Sequence, residues 1–352
     1  MMRNTVVPVL LLLLALVGCV PVTEAPVTAV PVPPAQGAQA LDPFAVNQAL
    51  GRGVNMGNAL EANYEGEWGM TLDESYFRLI AEAGFTNVRI PIRWTAHAET
   101  VAPYTIDPDF LARVDWAIDQ ALANGLYPII NMHHYDGIMQ DPDTHHARFL
   151  GIWGQLAEHF QQQQPEVIFE LLNEPNTNML PSRWNKLLAE AIQDVRQTNP
   201  ARIIIVGPTG WNNANELVNL ELPEDDHQLI VTIHSYEPFQ FTHQGAEWVN
   251  GTDGWLGTTW DGTDAQKRQI IGIFDKAASW GETHHRPIFL GEFGAYSKAD
   301  MASRARWTAF VARTAEEHKI SWAYWEFGSG FGVYDREKQA WNEPLLHALL
   351  DK

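Results

Sequence analysis

Short apolar runs alternate eight times with helix-spaced segments along this chain, and that repetition limits its possible folds more than any other feature. The runs cover 53–60, 87–92, 127–132, 167–172, 202–206, 229–233, 287–290 and 321–325. Several, such as Val-Ile-Phe-Glu-Leu-Leu at 167–172, are almost continuously apolar, as parallel strands covered on both faces must be. Between the runs, Leu111, Val114, Ile118 and Leu122 recur at helical spacing, as do Trp307, Phe310, Val311 and Ala315. Asp107-Pro108 reads as an N-cap with proline at the first helical position, and Asn124-Gly125 as a stop. The repetition predicts an α/β fold, a single (β/α)₈ barrel occupying 41–352, in preference to an open doubly wound sheet. Neither a Gly-x-Gly-x-x-Gly string nor a P-loop occurs, which weakens a nucleotide-binding alternative.

The 40 residues ahead of that region read differently. Arg3 precedes an apolar stretch, Val6 to Val17, that is too short for a comfortable membrane span. It ends in Leu16-Val17-Gly18-Cys19, so 1–18 reads as an export signal. Leu-Val-Gly-Cys resembles the bacterial lipobox, which implies lipidation of Cys19 and a membrane tether; ordinary secretion is the alternative. Residues 19–40 carry five prolines among Val, Ala and Thr and read as a semi-rigid linker. Cys19 is the sole cysteine, so no internal disulfide is expected. The formal charge of −20 belongs to the folded part, since 1–40 holds one base and one acid. Such acidity disfavours nucleic acid as a partner. With no heptad pattern, a monomer is expected.

In a barrel of this kind the active site lies at the C-terminal ends of the strands. Those ends carry Asn58 and Glu61, His133 and His134, Asn173-Glu174-Pro175, Trp211, His234 and Tyr236, Glu292, and Trp325-Glu326. Arg89, inside the second run, needs an anionic partner if it points inward. One such residue is unremarkable; their convergence on one rim suits a neutral polyhydroxyl ligand, with indoles against sugar faces. Glu174 and Glu292, on opposing strands, supply the two carboxylates that glycosidic cleavage requires. At the spacing of about 5–5.5 Å used by retaining enzymes, two carboxylates repel by roughly 3 kcal/mol at an effective dielectric of 20, or about 2 pKa units. That separation of affinities keeps one protonated while the other ionises.

Taken together, Val88-Arg89-Ile90-Pro91, Asn131-Met132-His133-His134, Leu172-Asn173-Glu174-Pro175, His234-Ser235-Tyr236, Gly291-Glu292-Phe293-Gly294 and Trp325-Glu326-Phe327 resemble glycoside hydrolase family 5 over nearly all of 44–350. The loop Phe241–Trp248 looks like its subfamily 25 branch, whose members act internally on β-1,4-glucans, some also on β-mannans. The resemblance implies Glu174 as acid/base, Glu292 as nucleophile, and Asn173 on the 2-hydroxyl beside the scissile bond. It implies that Arg89 and Tyr236 hold the nucleophile, that His133, His134 and His234 line central subsites, and that Trp325 underlies the distorted sugar. Asn58, Glu61 and Trp211 match further subsite positions. Ser235 departs from the tyrosine of close relatives, a neutral change if it faces away from the site. The expected function is an exported, cofactor-independent endo-β-1,4-glucanase. A mannanase or mixed activity is the near alternative; a non-catalytic glycan-binding lipoprotein is the alternative of another class. A metal-dependent hydrolase is disfavoured, because the pairs 133–134, 145–146 and 284–285 lack zinc-site spacing and the last two suit helix ends.

Overall fold

A computed structural model describes residues 41–351; the leader 1–18, Cys19 and the linker 19–40 lie outside the described residues. Eight parallel strands close on themselves: β1 (Arg52–Asn55), β2 (Asn87–Ile90), β3 (Tyr127–Asn131), β4 (Ile168–Glu170), β5 (Ile204–Val206), β6 (Leu229–His234), β7 (Ile288–Glu292) and β8 (Ser321–Tyr324). Closure comes from β1, which pairs with β2 at Gly53–Asn87 and with β8 at Arg52–Trp322. The expected (β/α)₈ barrel is the observed fold.

Each expected run overlaps its strand: β1 begins one residue early, β6 and β7 run on to His234 and Glu292, and the other ladders are shorter than their apolar stretches. Met56, Ala59 and Leu60 beyond β1, and Leu171 and Leu172 beyond β4, are buried without belonging to a strand. Hydrophobicity reports burial, and at the barrel mouth the chain stays buried under helices after it has left the ladder. At the opposite end Arg202 is no strand residue. Its guanidinium donates to the carbonyls of Phe160, Gln163, Gln164 and Val167, closing the turn before β4.

Alternation along the strands sorts the barrel interior into layers. Ile129, Ile168, Ile205, Ile230, Phe289 and Ala323 pack together with Val46 and Leu50, from the helix Pro43–Leu50 that plugs the lower mouth. Asn47 of that plug donates to the Ile288 carbonyl and accepts from Ser321. One pleat further up, Asn55, Arg89, Asn131 and Glu170 replace the aliphatic layer and are fully buried. The register of β6 against β7 shifts between Ile233 and His234, which sets His234 beside Glu292.

The helix Pro108–Ala123 begins and ends where its cap residues predict. Asp107 accepts from the Asp109 amide at 2.9 Å, and the helix stops at Asn124, with Gly125 at φ 73°. His284 and His285 do close a helix, Asp264–His284. His145 and His146 also fall near a helix end, but the N-terminal one: they lie in the opening turns of Pro142–His159, where the dipole lends a positive charge no support. Side-chain partners hold them instead, the Tyr135 hydroxyl for His145 and Glu190 for His146. Asp107→Ala is expected to lower stability by about 1 kcal/mol in urea unfolding, and Asp107→Asn to retain most of it.

Candidate active site

Where the strands end, the backbone turns sharply to aim side chains back over the mouth. Asn58, Glu174, Trp211 and Asn212 all have positive φ, between 49° and 66°. Glu174 follows β4 within the buried string Leu171-Leu172-Asn173, and its left-handed turn carries the carboxyl inward. Gly294 is needed for close approach: a Cβ there would lie 2.1 Å from the Trp325 carbonyl oxygen. Packing of β7 against the chain leaving β8 thus requires the glycine that follows Glu292-Phe293.

Arg89 organises what lies beneath. All five of its N–H groups are used. Nε and Nη2 grip Glu170 at 2.6 Å each, Nη2 also reaches Asn173 Oδ1 at 2.6 Å, and Nη1 reaches Glu292 Oε1 at 2.7 Å and Asn55 Oδ1 at 2.9 Å. Burial opposes its charge, but the Glu170 and Glu292 carboxylates outweigh burial and hold the guanidinium cationic, its pKa above the ordinary value. The sequence reading foresaw one anionic partner for Arg89; there are two. Glu170 was missed, although it is the lone charge in the run 167–172, two residues beyond inward-facing Ile168.

Glu292 accepts from Arg89 on one oxygen and from the Tyr236 hydroxyl at 2.8 Å on the other. Glu174 pairs with His234 Nδ1 at 2.7 Å. One donor atom each from Glu174, His234 and Glu292 lie within 4.8 Å of one another, so the two carboxyls face a common centre. Burial pushes the Glu174 carboxyl up to about 7, with Arg89 pulling down and Glu170 pushing up. Burial also raises Glu292, against the pull of His234 and Arg89 and the Tyr236 hydrogen bond, while Glu174 adds to the rise. Direct donors on both oxygens make Glu292 the readier of the pair to ionise. Burial lowers His234 to about 4, so its ring is neutral at neutral pH, and raises the Tyr236 hydroxyl well above its usual value, keeping it a donor.

Above this centre opens a cavity of about 1080 Å³. Asn58, Glu61, His133, His134, Asn173, Glu174, Trp211, His234, Tyr236, Glu292 and Trp325 all line it. Arg89 does not line the cavity: it lies wholly below the floor and reaches it through Glu292 and Asn173. Glu61 is present but occupied. Its carboxylate accepts from the Asn58 and Ala59 amides, and burial pushes its pKa up to about 8. His133 lies parallel to Trp325, ring centres 5.5 Å apart, and the Asn131 amide holds its edge at Nδ1.

Exposed indoles rim the cavity: Trp211 and Trp248, both over half exposed, and Trp68, which sequence reasoning missed because its loop carries no periodic signal. Ser235 is buried and does not line the cavity, so its departure from tyrosine leaves the wall unchanged. Trp325 and Glu326 part company. Trp325 enters the cavity, while Glu326 turns into the protein and accepts from the Gly328, Ser329 and Phe331 amides. It thereby anchors the loop that brings Ser329, Gly330 and Phe331 to the wall.

Removing the cation should expose how much this centre depends on it. Arg89→Met is expected to lower stability by about 3–5 kcal/mol at pH 7, because Glu170 and Glu292 are left buried and uncompensated. The loss should shrink as pH falls, because the orphaned Glu292 carboxyl, already raised by burial, takes up a proton, and urea unfolding at pH 7 and pH 5 checks it.

The family model for Cellulase (glycosyl hydrolase family 5) matches residues 51–330. Endoglucanase H of Acetivibrio thermocellus is 37% identical over 325 residues, 91% of this chain; the chain spans about a third (35%) of that longer protein. Among solved structures, Thermotoga maritima Cel5A in complex with mannotriose is 48% identical with a TM-score of 0.86, covering 88% of this chain and 100% of that one. A hyperthermophilic endo-β-1,4-glucanase in complex with substrate is 47% identical with a TM-score of 0.87, covering 89% and 100%. A closed barrel, a paired-carboxyl centre and these matches lead to one assignment: the chain belongs to glycosyl hydrolase family 5.

Proposed function

We propose that this chain is an endo-acting β-1,4-glucanase that retains anomeric configuration, with Glu292 as nucleophile and Glu174 as general acid and base. The observation that carries the reading is the unequal pairing of two close carboxyls, one bound by Arg89 and Tyr236, the other by a neutral histidine. Oxygens within 4.8 Å suit direct attack and leave no room for the water that an inverting pair must hold between them.

In the first step a Glu292 oxygen attacks the anomeric carbon as the glycosidic C–O bond breaks, and Glu174 gives its proton to the departing oxygen. Ester formation removes the charge on Glu292. With that negative charge gone its repulsion no longer raises the proton affinity of Glu174, which falls just when Glu174 must act as a base. In the second step Glu174 takes a proton from water as that water attacks the anomeric carbon and releases Glu292. Asn173, oriented by Arg89, is placed to bond the neighbouring hydroxyl, and Trp325 and Trp211 offer flat faces to the sugar rings.

Glucan is the substrate favoured by the relatives named endoglucanase. Mannotriose in the Cel5A complex keeps a mixed glucan–mannan preference open to test, in line with the subfamily 25 likeness of residues 241–248. Residues 1–18 direct export, and Cys19 carries lipid that tethers a monomeric enzyme to the cell envelope through 19–40. The string Leu16-Val17-Gly18-Cys19 supports this, and Cys19→Ser should move the protein from the membrane to the soluble fraction.

Glu292→Gln should abolish turnover with the fold intact by circular dichroism. Glu174→Ala should spare the first step only for aryl glycosides with good leaving groups. Because Glu174 acts as an acid with a pKa near about 7, kcat/KM should fall as pH rises through that value. Equal loss of aryl and glucan hydrolysis in Glu174→Ala would remove the acid role. Product analysis on glucan, lichenan, glucomannan and mannan ranks the substrates, and activity unchanged by EDTA is expected of a two-carboxylate mechanism.

A further inference from the structure

One segment beside the cavity is folded in a way L-residues seldom adopt. Gly210 (φ 68°, ψ 41°), Trp211 (φ 61°, ψ 44°) and Asn212 (φ 57°) are three consecutive left-handed residues. Outside glycine such conformations are strained and normally occur singly. The turn is tied to the acid side of the site, because the Trp211 amide donates to the Pro175 carbonyl. It sends two neighbouring side chains in opposite directions. Trp211 goes to the exposed rim and Asn212 to complete burial.

Asn212 ends against His234. Its Nδ2 lies 3.2 Å from His234 Nε2, and the other ring nitrogen, Nδ1, lies 2.7 Å from Glu174 Oε1. The protein makes room for this contact, since a Cβ on Gly207 would fall 2.2 Å from Asn212 Oδ1 and 3.0 Å from Thr232 Cγ2. A neutral imidazole carries one proton. An amide N–H pointing at Nε2 requires a lone pair there, and so places the proton on Nδ1, facing Glu174.

We propose that Asn212 is a positioning residue that fixes the His234 tautomer, so that His234 donates to Glu174 and cannot accept from it. This rests on the acid/base reading of Glu174. The chemical consequence is direct. A His234 unable to accept leaves the Glu174 proton free for the departing glycosidic oxygen, and its Nδ1–H stabilises the carboxylate left behind. Without the amide the ring can turn over to the Nε2–H tautomer, whose bare Nδ1 accepts a hydrogen bond from the Glu174 O–H and so stabilises the protonated form of Glu174. The charged and titratable groups around the pair are Glu292 on β7, Arg89 on β2, Glu170 on β4, His133 after β3 and Tyr236 after β6. All of them remain when Asn212 is changed.

The test compares the full chain with Asn212→Gly, which removes the amide and suits the left-handed backbone, and with Gly207→Ala, which displaces the amide from outside the cavity. In the unaltered protein, ¹⁵N shifts of His234 should show a protonated Nδ1 and a bare Nε2; the reverse assignment overturns the proposal. In both variants the basic limb of kcat/KM should move up by about half a pH unit or more. Glucan hydrolysis should fall several-fold more than hydrolysis of an aryl cellobioside with a good leaving group. A basic limb that stays in place, even with reduced kcat, would mean that Asn212 is merely structural. Glu174→Ala run alongside separates the two ideas. If it spares the aryl substrate while the limbs do not move, only the Asn212 proposal falls; if it loses both substrates equally, the acid role and this proposal fall together.

Discussion

One guanidinium shared between two buried carboxylates is the interaction on which the rest of the centre depends. Arg89 sits where a barrel would ordinarily place another aliphatic side chain, and a charge there is tolerable only if every N–H finds an acceptor. It does so by drawing on β1 through Asn55, on β4 through Glu170, on the segment after β4 through Asn173, and on β7 through Glu292. Three separated parts of the chain are thereby tied to one planar fork, whose geometry sets where the Glu292 oxygens and the Asn173 amide stand. Burial is what chiefly keeps the Glu174 carboxyl protonated; Arg89 opposes it and the Glu170 charge adds to it.

Support for the walls follows a second rule, in which buried carboxylates serve as acceptors for loop amides. Glu61 does this beyond β1 and Glu326 beyond β8. Those two strands are neighbours in the closed sheet, so the pair steadies one continuous side of the cavity from beneath. Neither loop has regular secondary structure to satisfy its own N–H groups, and a carboxylate offers several acceptor sites in little space. Aromatic residues complete that side: Trp325 and His133 lie parallel, and Trp68 meets His134 edge-on.

Much of this was legible in the linear chain because it depends on local pattern. Eight apolar runs with helices between them admit few closures, and Asp107-Pro108 and Asn124-Gly125 mark their helix without reference to anything distant. Polar residues at strand ends had to meet once a barrel was accepted. Glu170 escaped notice because an acid within an apolar run acquires meaning only when the inward face of β4 is seen to oppose that of β2. Trp68 and the turn at 210–212 were hidden for another reason: their placement comes from irregular backbone that no periodicity encodes.

From order and type of residue alone, then, came the barrel, the strands that carry Glu174 and Glu292, and the need of Arg89 for negative charge. The tertiary structure decided how many carboxylates answer that need, which oxygen each donor reaches, and which of Trp325 and Glu326 faces the cavity. Pattern specifies which side of a strand is buried, whereas hydrogen-bond partners and proton affinities arise from ångström distances between residues far apart in sequence, 203 positions for Arg89 and Glu292.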